Sequence, residues 1–164
     1  MSQDDFRIRR ATKKDRETLL RFHHGLYVQH RDLVMPEKLS DFYGYRDLSS
    51  ALAEDVDSIL HSTNGVALIG LQGTDPVGYI TGHIESDARR TLPTKGVVED
   101  WFVAPASRGT RVGARLMEKL IEIFNEAGCD VVESTTWPFN ETARKSHTAL
   151  GFHEVEIKYR RRLR

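Results

Sequence analysis

The sequence predicts a single α/β domain, residues 1–164, with a mixed β-sheet and about four helices. Three observations predict this class. Apolar residues recur with strand and helix spacing in alternating segments, two neighbouring strands are joined by a turn, and a strand at residues 95–103 runs through a short break into a helix. The predicted order is β-α-α-β-β-β-α-β-α-β, and 164 residues can bury a substantial core.

The first strand and helix are predicted from alternation followed by a capping signal. Phe6, Ile8 and Ala11 alternate with arginines. Thr12 and Asp15 have capping-box spacing, and they open a helix with this inward face: Leu19, Phe22, Leu26 and Tyr27. His23 and His24 lie on adjacent sides of that helix, so they cannot bind one metal ion together, and we interpret them as ordinary helix residues.

Residues 29–46 have no clear period, and we interpret them as a surface loop with packing aromatics, Phe42, Tyr43 and Tyr45. A second amphipathic helix is predicted over residues 47–61. Residues 66–72 and 77–86 have strand character and flank the turn-forming segment 73–76, so they predict a hairpin. Residues 87–94 form a predicted loop.

The strand predicted at residues 95–103 has two carboxylates among β-branched and aromatic residues. Regular alternation would place Glu99 on the face of Val97 and Trp101. Asp100 would then lie on the opposite face, with Val98 and Phe102. Each face of the strand is therefore expected to bear one acid.

The segment after this strand predicts an anion site. Arg108, Gly109, Arg111 and Gly113 lie where a turn enters a helix, so free backbone N–H groups and the positive end of the helix dipole meet there. The spacing is neither that of a Walker loop nor that of a Rossmann fingerprint. The alternative is a helix start that is rich in arginine and glycine and binds nothing.

Three further elements complete the predicted order. The central helix should end at Gly128, a strand is predicted at residues 130–137, a short helix at 140–150, and a last strand at 154–163. The basic end of that strand, Lys158 and residues 160–162, is typical of an edge strand that resists aggregation.

Composition excludes several classes of function. Twenty-four basic residues balance twenty-four acidic ones, which does not favour a nucleic-acid partner. The single cysteine, Cys129, cannot form an internal disulfide and fits a reducing compartment. No apolar run is long enough to cross a membrane, the polar start at residues 2–5 is unlike a signal peptide, and no His, Cys or acidic cluster has metal-ligand spacing. We therefore expect a cytoplasmic protein that binds no metal.

Two motifs resemble those of the GNAT superfamily of N-acetyltransferases. The first is Val-x-Pro-x-x-Arg-Gly-x-x-Val-Gly, from Val103 to Gly113, in which Arg111 replaces a family glycine. The second joins Asn140, Ala143, His147, Gly151 and Phe152 with the family's spacing, and His147 replaces the family's tyrosine. The string from Glu99 to Val103 also resembles the diamine (spermidine/spermine) acetyltransferases.

The resemblance implies a fold, a co-substrate and a chemistry. It implies a GNAT-like fold whose central strand and the strand after the main helix splay apart, and acetyl transfer from acetyl-CoA to a primary amine of a small molecule. The CoA-binding residues it implies are Arg108, Gly109, Thr110, Arg111, Val112, Gly113, Ala114 and Asn140. A backbone N–H beyond a bulge, at Phe102 or Val103, would face the thioester carbonyl.

The resemblance also implies roles for individual side chains. Glu99 would be the water-mediated base, Asp100 would hold a cationic substrate or pair with an arginine, and His147 would protonate the thiolate. Tyr43, Tyr45 and Trp101 become candidates for the acceptor pocket, and a homodimer is expected. Two alternatives stay open: a GNAT-shaped module that binds acyl-CoA without turnover, and a protein or peptide N-acetyltransferase.

Overall fold

One five-stranded sheet organises the chain in the computed structural model, which describes residues 5–164. Residues 2–4, which make up most of the polar start that is unlike a signal peptide, lie outside the described residues. The strands are β1 (Phe6–Arg10), β2 (Gly65–Gln72), β3 (Asp75–Ser86), β4 (Thr94–Val103) and β5 (Val131–Ser134). They lie side by side in chain order.

The sheet is mixed, as predicted. Neighbouring strands pair antiparallel from β1 to β4, whereas β4 and β5 pair in parallel. A parallel pair needs a crossover connection, and helix α3 (Val112–Glu126) supplies it. The predicted α/β class is confirmed.

Helices cover both faces of the sheet. On one face, α1 (Arg16–Gln29) and α2 (Leu48–His61) bury a cluster that includes Leu19, Phe22 and Val56. On the other face, α3 buries Leu116, Leu120 and Phe124 against the strands. The fourth helix, α4 (Glu141–Ala149), follows β5.

The local signals in the sequence are confirmed at several element ends. Thr12 and Asp15 form the predicted capping box on a short 3-10 turn that leads into α1. Asp15 also accepts two hydrogen bonds from Arg9, which together with the cap holds its pKa at about 2. Gly128 adopts the positive φ of a helix end, and Gly73 does so in the β2–β3 turn.

The predicted loop at residues 29–46 contains short helical turns. Residues His30–Val34 extend α1 as a π-helical turn, and Glu37–Phe42 form a 3-10 helix. Within the described residues, no helix has the length and apolarity needed to cross a membrane.

The predicted last strand is wrong. Residues 152–164 form no strand after α4, and residues 153–164 are exposed. Two arginines hold this segment to the 3-10 helix: Arg160 donates to the Phe42 carbonyl at 2.7 Å, and Arg162 pairs with Asp41. The alternating pattern of a strand is present, but this segment pairs with none of the five strands that the structure describes.

Candidate active site

A β-bulge interrupts β4 at its two carboxylates. Gly82 of β3 pairs with Val98, and Ile80 pairs with Trp101, so Glu99 and Asp100 together lie opposite the single residue Thr81. The Thr81 hydroxyl stabilises the bulge: it accepts from the Asp100 N–H at 3.2 Å and donates to the Asp100 carboxylate at 3.1 Å.

The bulge turns both acids to the same face of the sheet. Val98 and Trp101 pack toward α3, whereas Phe102 packs toward α1. Glu99 contacts His83, which pairs with Val97, and it therefore shares the α1 face with Asp100. The prediction of one acid on each face is wrong because an extra residue resets the alternation of the strand.

Burial favours the protonated form of both acids, and neighbouring carboxylates add to this effect. Burial is the largest cause that raises the pKa of Asp100; His23 and the hydrogen bond from Thr81 oppose it, and the nearby Asp55 raises the pKa further. Burial also raises the pKa of Glu99, with repulsion from Asp100 and Asp55 adding to it and His83 opposing it. Titratable groups whose pKa values are shifted in this way near a cavity are typical of functional sites.

A cavity of about 200 Å³ opens beside Asp100 on this face. Four of its twelve lining residues are tyrosine or tryptophan, and they include Tyr43 and Tyr45, whereas Trp101 lies on the opposite face of the sheet. The rings pack against one another: the ring centroids of Tyr43 and Trp137 are 4.9 Å apart, and those of Tyr27 and Tyr45 are 5.5 Å apart. The other lining residues are His23, Leu26, His30, Arg31, Met35, Ser40 and Leu52.

A buried histidine joins the cavity to α2 and β3. His23 bonds the Tyr79 hydroxyl at 2.9 Å and the Asp55 carboxylate at 3.0 Å, and lies 3.6 Å from Asp100. His24, by contrast, is exposed. The interpretation of both as ordinary helix residues missed His23, because its partners come from distant parts of the chain.

Glu99 lies at the edge of this site and connects to solvent. Its carboxylate is 3.1 Å from His83, whose other ring nitrogen is 2.8 Å from Glu85. Glu85 is half exposed. The three side chains form a path along which a proton could leave the site.

The far half of β4 has an open edge. Its pairing with β5 stops at Val98 and Ser134, yet β4 continues to Val103. The Ala104 N–H donates to Val77 on the β3 side, and N–H groups alternate along a strand, so those of Trp101 and Val103 point to the open edge. By the same alternation, the Phe102 N–H points toward β3. The open edge matches the splayed strands that the resemblance implies.

The predicted anion loop presents unused donors at the start of α3. Among the described residues, none of the six N–H groups from Gly109 to Ala114 donates to a backbone carbonyl. Gly109 adopts φ 76°. Trp101 Nε1 donates to the Gly113 carbonyl, and a Cβ on Gly113 would come within 3.2 Å of Val103, so α3 begins close against β4. Such a cluster of N–H groups can bind phosphate oxygens.

The two arginines of the loop are arranged differently. Arg108 braces the loop, because it donates to the Val103 carbonyl at 3.1 Å and to the Gln29 side chain at 2.6 Å. The Arg111 side chain is exposed and lies 3.5 Å from Glu118. The Arg111 backbone is left-handed, with φ 64°, a conformation that glycine adopts without strain.

Replacing Arg111 with glycine is expected to stabilise the fold. Against Arg111→Ala, which removes the same charge but keeps a Cβ, Arg111→Gly should raise the free energy of unfolding by about 0.5–1 kcal/mol. That corresponds to roughly 1–4 °C in the melting temperature, measured by calorimetry. Equal melting temperatures for the two variants would show that the left-handed backbone costs nothing here.

His147 lies where α4 meets the end of β5. Its Nδ1 donates to the Ala143 carbonyl at 2.7 Å, so the neutral ring has Nε2 free to accept from the Ser134 hydroxyl, also at 2.7 Å. The ring packs edge-on against Trp101, with 5.4 Å between centroids. His147 and Ser134 therefore lie at the base of the open edge of β4.

Asn140 begins α4. Its side chain accepts from the Ala143 N–H at 3.1 Å, as an N-cap does. Its amide NH₂ group is not used in this bond, so capping is compatible with a contact to a ligand.

Local sequence patterns missed several residues of the site. His23, Asp55, Tyr79, Ser134 and Trp137 belong to five different elements or loops and meet only in the folded chain. Within residues 5–164, no group of three or more His, Cys, Asp or Glu residues is arranged to hold a metal ion.

Comparison with known proteins places the chain among acetyltransferases. Residues 31–152 match the acetyltransferase (GNAT) family. Aminoglycoside N(6')-acetyltransferase type 1 of Salmonella typhimurium (strain LT2) is 30% identical over 112 residues, which cover 66% of this chain and 77% of that relative.

Solved structures agree in fold. AAC(6')-Iy in complex with the bisubstrate analog CoA-S-monomethyl-acetylneamine superposes with a TM-score of 0.73 at 25% identity, over 96% of this chain and 98% of that one. A tetramutant of the BH1408 protein from Bacillus halodurans reaches a TM-score of 0.81 at 18% identity, over 96% and 99% of the two chains. This second likeness concerns the fold alone.

Proposed function

The chain belongs to the acetyltransferase (GNAT) family, whose co-substrate is acetyl-CoA, and we propose that it acetylates a primary amine of a small cationic acceptor. The β4 bulge is the observation that carries this proposal. It brings Glu99 and Asp100 to one face of the sheet, next to the open edge of β4, and Asp100 lines a cavity on that face.

The chemistry of the cavity favours an acceptor with more than one positive charge. Asp100 lines the cavity and Asp55 lies near it, while tyrosine and tryptophan rings form its walls. Carboxylates and aromatic faces both attract ammonium groups. Since the Salmonella typhimurium relative is an aminoglycoside N(6')-acetyltransferase and the AAC(6')-Iy structure holds a CoA–acetylneamine analog, we propose an amino sugar or a similar polyamine as the acceptor.

We assign the two acids different roles. Asp100, held by Thr81 and largely buried, binds an ammonium group of the acceptor. Glu99 takes the proton from the attacking amine through a water molecule, because its raised pKa suits a base. Glu99 contacts His83, and His83 contacts the half-exposed Glu85, so these side chains lead that proton to solvent.

Backbone groups would hold and polarise the donor. The free N–H groups from Gly109 to Ala114 would bind the CoA diphosphate, as the positive end of α3 favours. The Val103 and Trp101 N–H groups lie on the open edge and would stabilise the oxyanion that forms on the thioester carbonyl. One such donor typically contributes about 100- to 1,000-fold in rate.

His147 and Ser134 would return a proton to the departing thiolate. A protonated His147 would donate from Nε2 to the Ser134 oxygen, and the Ser134 hydroxyl would pass its own proton to the sulfur. The family's tyrosine would donate directly, whereas here the shorter ring would act through a hydroxyl.

Replacing His147 with glutamine is expected to lower kcat by about tenfold, because glutamine can bond Ser134 but cannot supply a proton to it. Ser134→Ala should have a similar effect, and the double variant should be no worse than either single one. His153→Gln, an exposed histidine nearby, is the matched control. A kcat within twofold of wild type in both single variants would show that water protonates the thiolate.

Measurements of acetyl-CoA binding and of acetyl transfer together test the proposed function. Acetyl-CoA binding is measured by calorimetry, and thiol release is followed with aminoglycosides, polyamines and peptides, with the acetylated product identified by mass spectrometry. Turnover on the small polycations supports the proposal. Binding of acetyl-CoA without turnover on any amine favours a GNAT-shaped module that only binds acyl-CoA. Turnover on peptides alone favours a protein or peptide N-acetyltransferase. Absence of acetyl-CoA binding contradicts the proposal and both alternatives.

A further inference from the structure

A buried histidine beside the acceptor cavity plays no part in the proposed function. His23 lies on α1, is 8% exposed and lines the cavity. Its ring nitrogens contact side chains from two other elements: Nδ1 lies 2.9 Å from the Tyr79 hydroxyl on β3, and Nε2 lies 3.0 Å from the Asp55 carboxylate on α2. Histidine is the side chain whose charge ordinarily changes between about pH 5 and 8. The charge of this ring therefore matters to any cation in the cavity.

The partners of His23 determine which ring nitrogen carries the hydrogen in the neutral form. An ionised Asp55 can only accept, so Nε2 carries the hydrogen and donates to it. Burial raises the pKa of Tyr79 well above its ordinary value, so the Tyr79 hydroxyl keeps its proton and donates to Nδ1. The neutral ring consequently has no hydrogen to offer Asp100.

One oxygen of Asp100 is left for a ligand in this arrangement. Oδ2 accepts from the Thr81 hydroxyl at 3.1 Å. Oδ1 lies 3.6 Å from His23 Nδ1, which is longer than a hydrogen bond. Among the described residues, no buried side-chain nitrogen or oxygen lacks a hydrogen-bond partner, so Oδ1 is accessible from the cavity that Asp100 lines. With His23 neutral, this oxygen can accept from an ammonium group.

A protonated His23 would compete for the same oxygen. Both ring nitrogens then donate, and a shift of roughly 0.5–1 Å would complete a hydrogen bond from Nδ1 to Asp100 Oδ1. The titratable groups that face the ring come from three elements, Asp55 from α2, Tyr79 from β3 and Asp100 from β4. Two of them are carboxylates, so one positive charge on the ring offsets half of the negative charge around it.

We propose that a proton on His23 and an ammonium group of the acceptor compete for Asp100, so that His23 makes acceptor binding depend on pH. This inference rests on the proposed function, because it takes the cavity beside Asp100 as the acceptor site. His23 is a positioning residue: Asp55 fixes its tautomer, and the neutral ring leaves Asp100 Oδ1 free. Acceptor affinity is greatest where His23 is neutral and falls as the pH is lowered through its titration. An acceptor that binds the protonated form expels this proton to solvent.

Nuclear magnetic resonance tests the competition in the wild-type protein. Long-range ¹H–¹⁵N spectra, with the His23 signals identified by their loss in His23→Gln, should show the hydrogen of the neutral ring on Nε2. Neamine and spermidine are the probes, added with CoA so that no acetyl transfer occurs. Either probe should lower the midpoint of the His23 titration by about one pH unit, because a cation beside the ring disfavours its protonated form. Bound probe without this shift, or a hydrogen on Nδ1, would overturn the proposal.

Binding measurements should give the same coupling from the other side. Because linkage is reciprocal, the Kd of the probe for the CoA-saturated protein should rise about tenfold as the pH is lowered through the His23 midpoint. In His23→Gln, whose amide can still donate to Asp55 but carries no charge, the Kd should change by less than twofold over the same range. An undiminished pH dependence in this variant would assign the effect to Asp100 or to the probe and overturn the proposal.

The neighbouring histidine provides the matched control. His24 is exposed, and His24→Gln should keep the wild-type dependence of the Kd on pH. Loss of the dependence in this variant as well would contradict a specific role of His23. If His23→Gln does not fold, the shift of the wild-type titration still decides.

Failure of this inference can be told apart from failure of the proposed function. Turnover on small polycations with no coupling between the probe and His23 leaves the function standing and overturns the inference. If neither neamine nor spermidine binds the CoA complex, the proposed acceptor class and the inference are both contradicted.

Discussion

Replacing Glu99 with glutamine is expected to reduce kcat by about 100- to 1,000-fold while the affinity for acetyl-CoA stays within about threefold of wild type. A glutamine has nearly the same shape but cannot accept a proton from the amine, and base catalysis of this kind typically contributes 100-fold or more. Glu99 lies on the α1 face of the sheet, away from the loop that begins α3, so donor binding should be insensitive to the change.

The pH profile separates the loss of a base from a general disturbance. Burial raises the pKa of Glu99 above its ordinary value. The wild-type base is therefore active above this raised pKa, and kcat should fall as the pH is lowered through it. In Glu99→Gln this acidic limb should disappear. The profile is measured by thiol release at saturating substrates.

A matched control is available next to Glu99. Glu85→Gln removes an exposed carboxylate that bonds the same histidine, His83. It should lower kcat by no more than about threefold, because solvent can take the proton directly. Equal losses in both variants, or an unchanged kcat in Glu99→Gln, would remove Glu99 from the role of base.

Replacing Asp100 with asparagine is expected to raise the KM for a polycationic acceptor by about 10- to 100-fold. A charge-assisted bond to an ammonium group contributes on the order of 1.5–3 kcal/mol, and the substitution removes one of them. The asparagine side-chain oxygen can still accept from the Thr81 hydroxyl, so the bulge should persist.

The same variant should be more stable than the wild type at neutral pH. Burial raises the folded-state pKa of Asp100 above 3.8, so the folded chain binds this proton more tightly than the unfolded chain does. The ionised carboxylate therefore destabilises the fold, and its cost grows as the pH rises from 3.8 through the raised pKa. Asp100→Asn should remove this dependence, as followed by denaturant unfolding across that range.

The control for Asp100 is an acid outside the site. Glu122→Gln removes an exposed charge on α3 that pairs with Lys119. It should change neither the acceptor KM nor the pH dependence of unfolding. If Asp100→Asn binds the acceptor normally, the cavity beside it is not the acceptor site.

Much of the fold follows from local patterns. The first nine predicted elements occur in the predicted order, because apolar spacing, the Thr12 cap and the glycines at residues 73 and 128 act within a few residues. The prediction of a strand at residues 154–163 is wrong because a strand depends on a partner far away in the chain. A strand needs a neighbour, and spacing alone cannot say whether the same chain provides one.

Part of the candidate site could likewise be predicted from the sequence, and part could not. The loop from Arg108 to Ala114 could be recognised because the donors of an anion site are successive backbone groups. The acidic pair in β4 was also visible, but its arrangement was not. Which face a carboxylate occupies depends on the pairing register with β3, and the bulge opposite Thr81 shifts this register by one residue.

The sequence by itself determined the order of the periodic segments, the turn that starts α3 and the balanced charge. Only the tertiary structure decided that Glu99 and Asp100 share a face, that His23 joins Tyr79 and Asp55 beside a cavity, and that residues 154–163 pair with no strand among residues 5–164. The reason is one of range. Propensity and capping act between neighbours, whereas a bulge, a cavity and a strand partner arise from contacts between residues far apart in the chain.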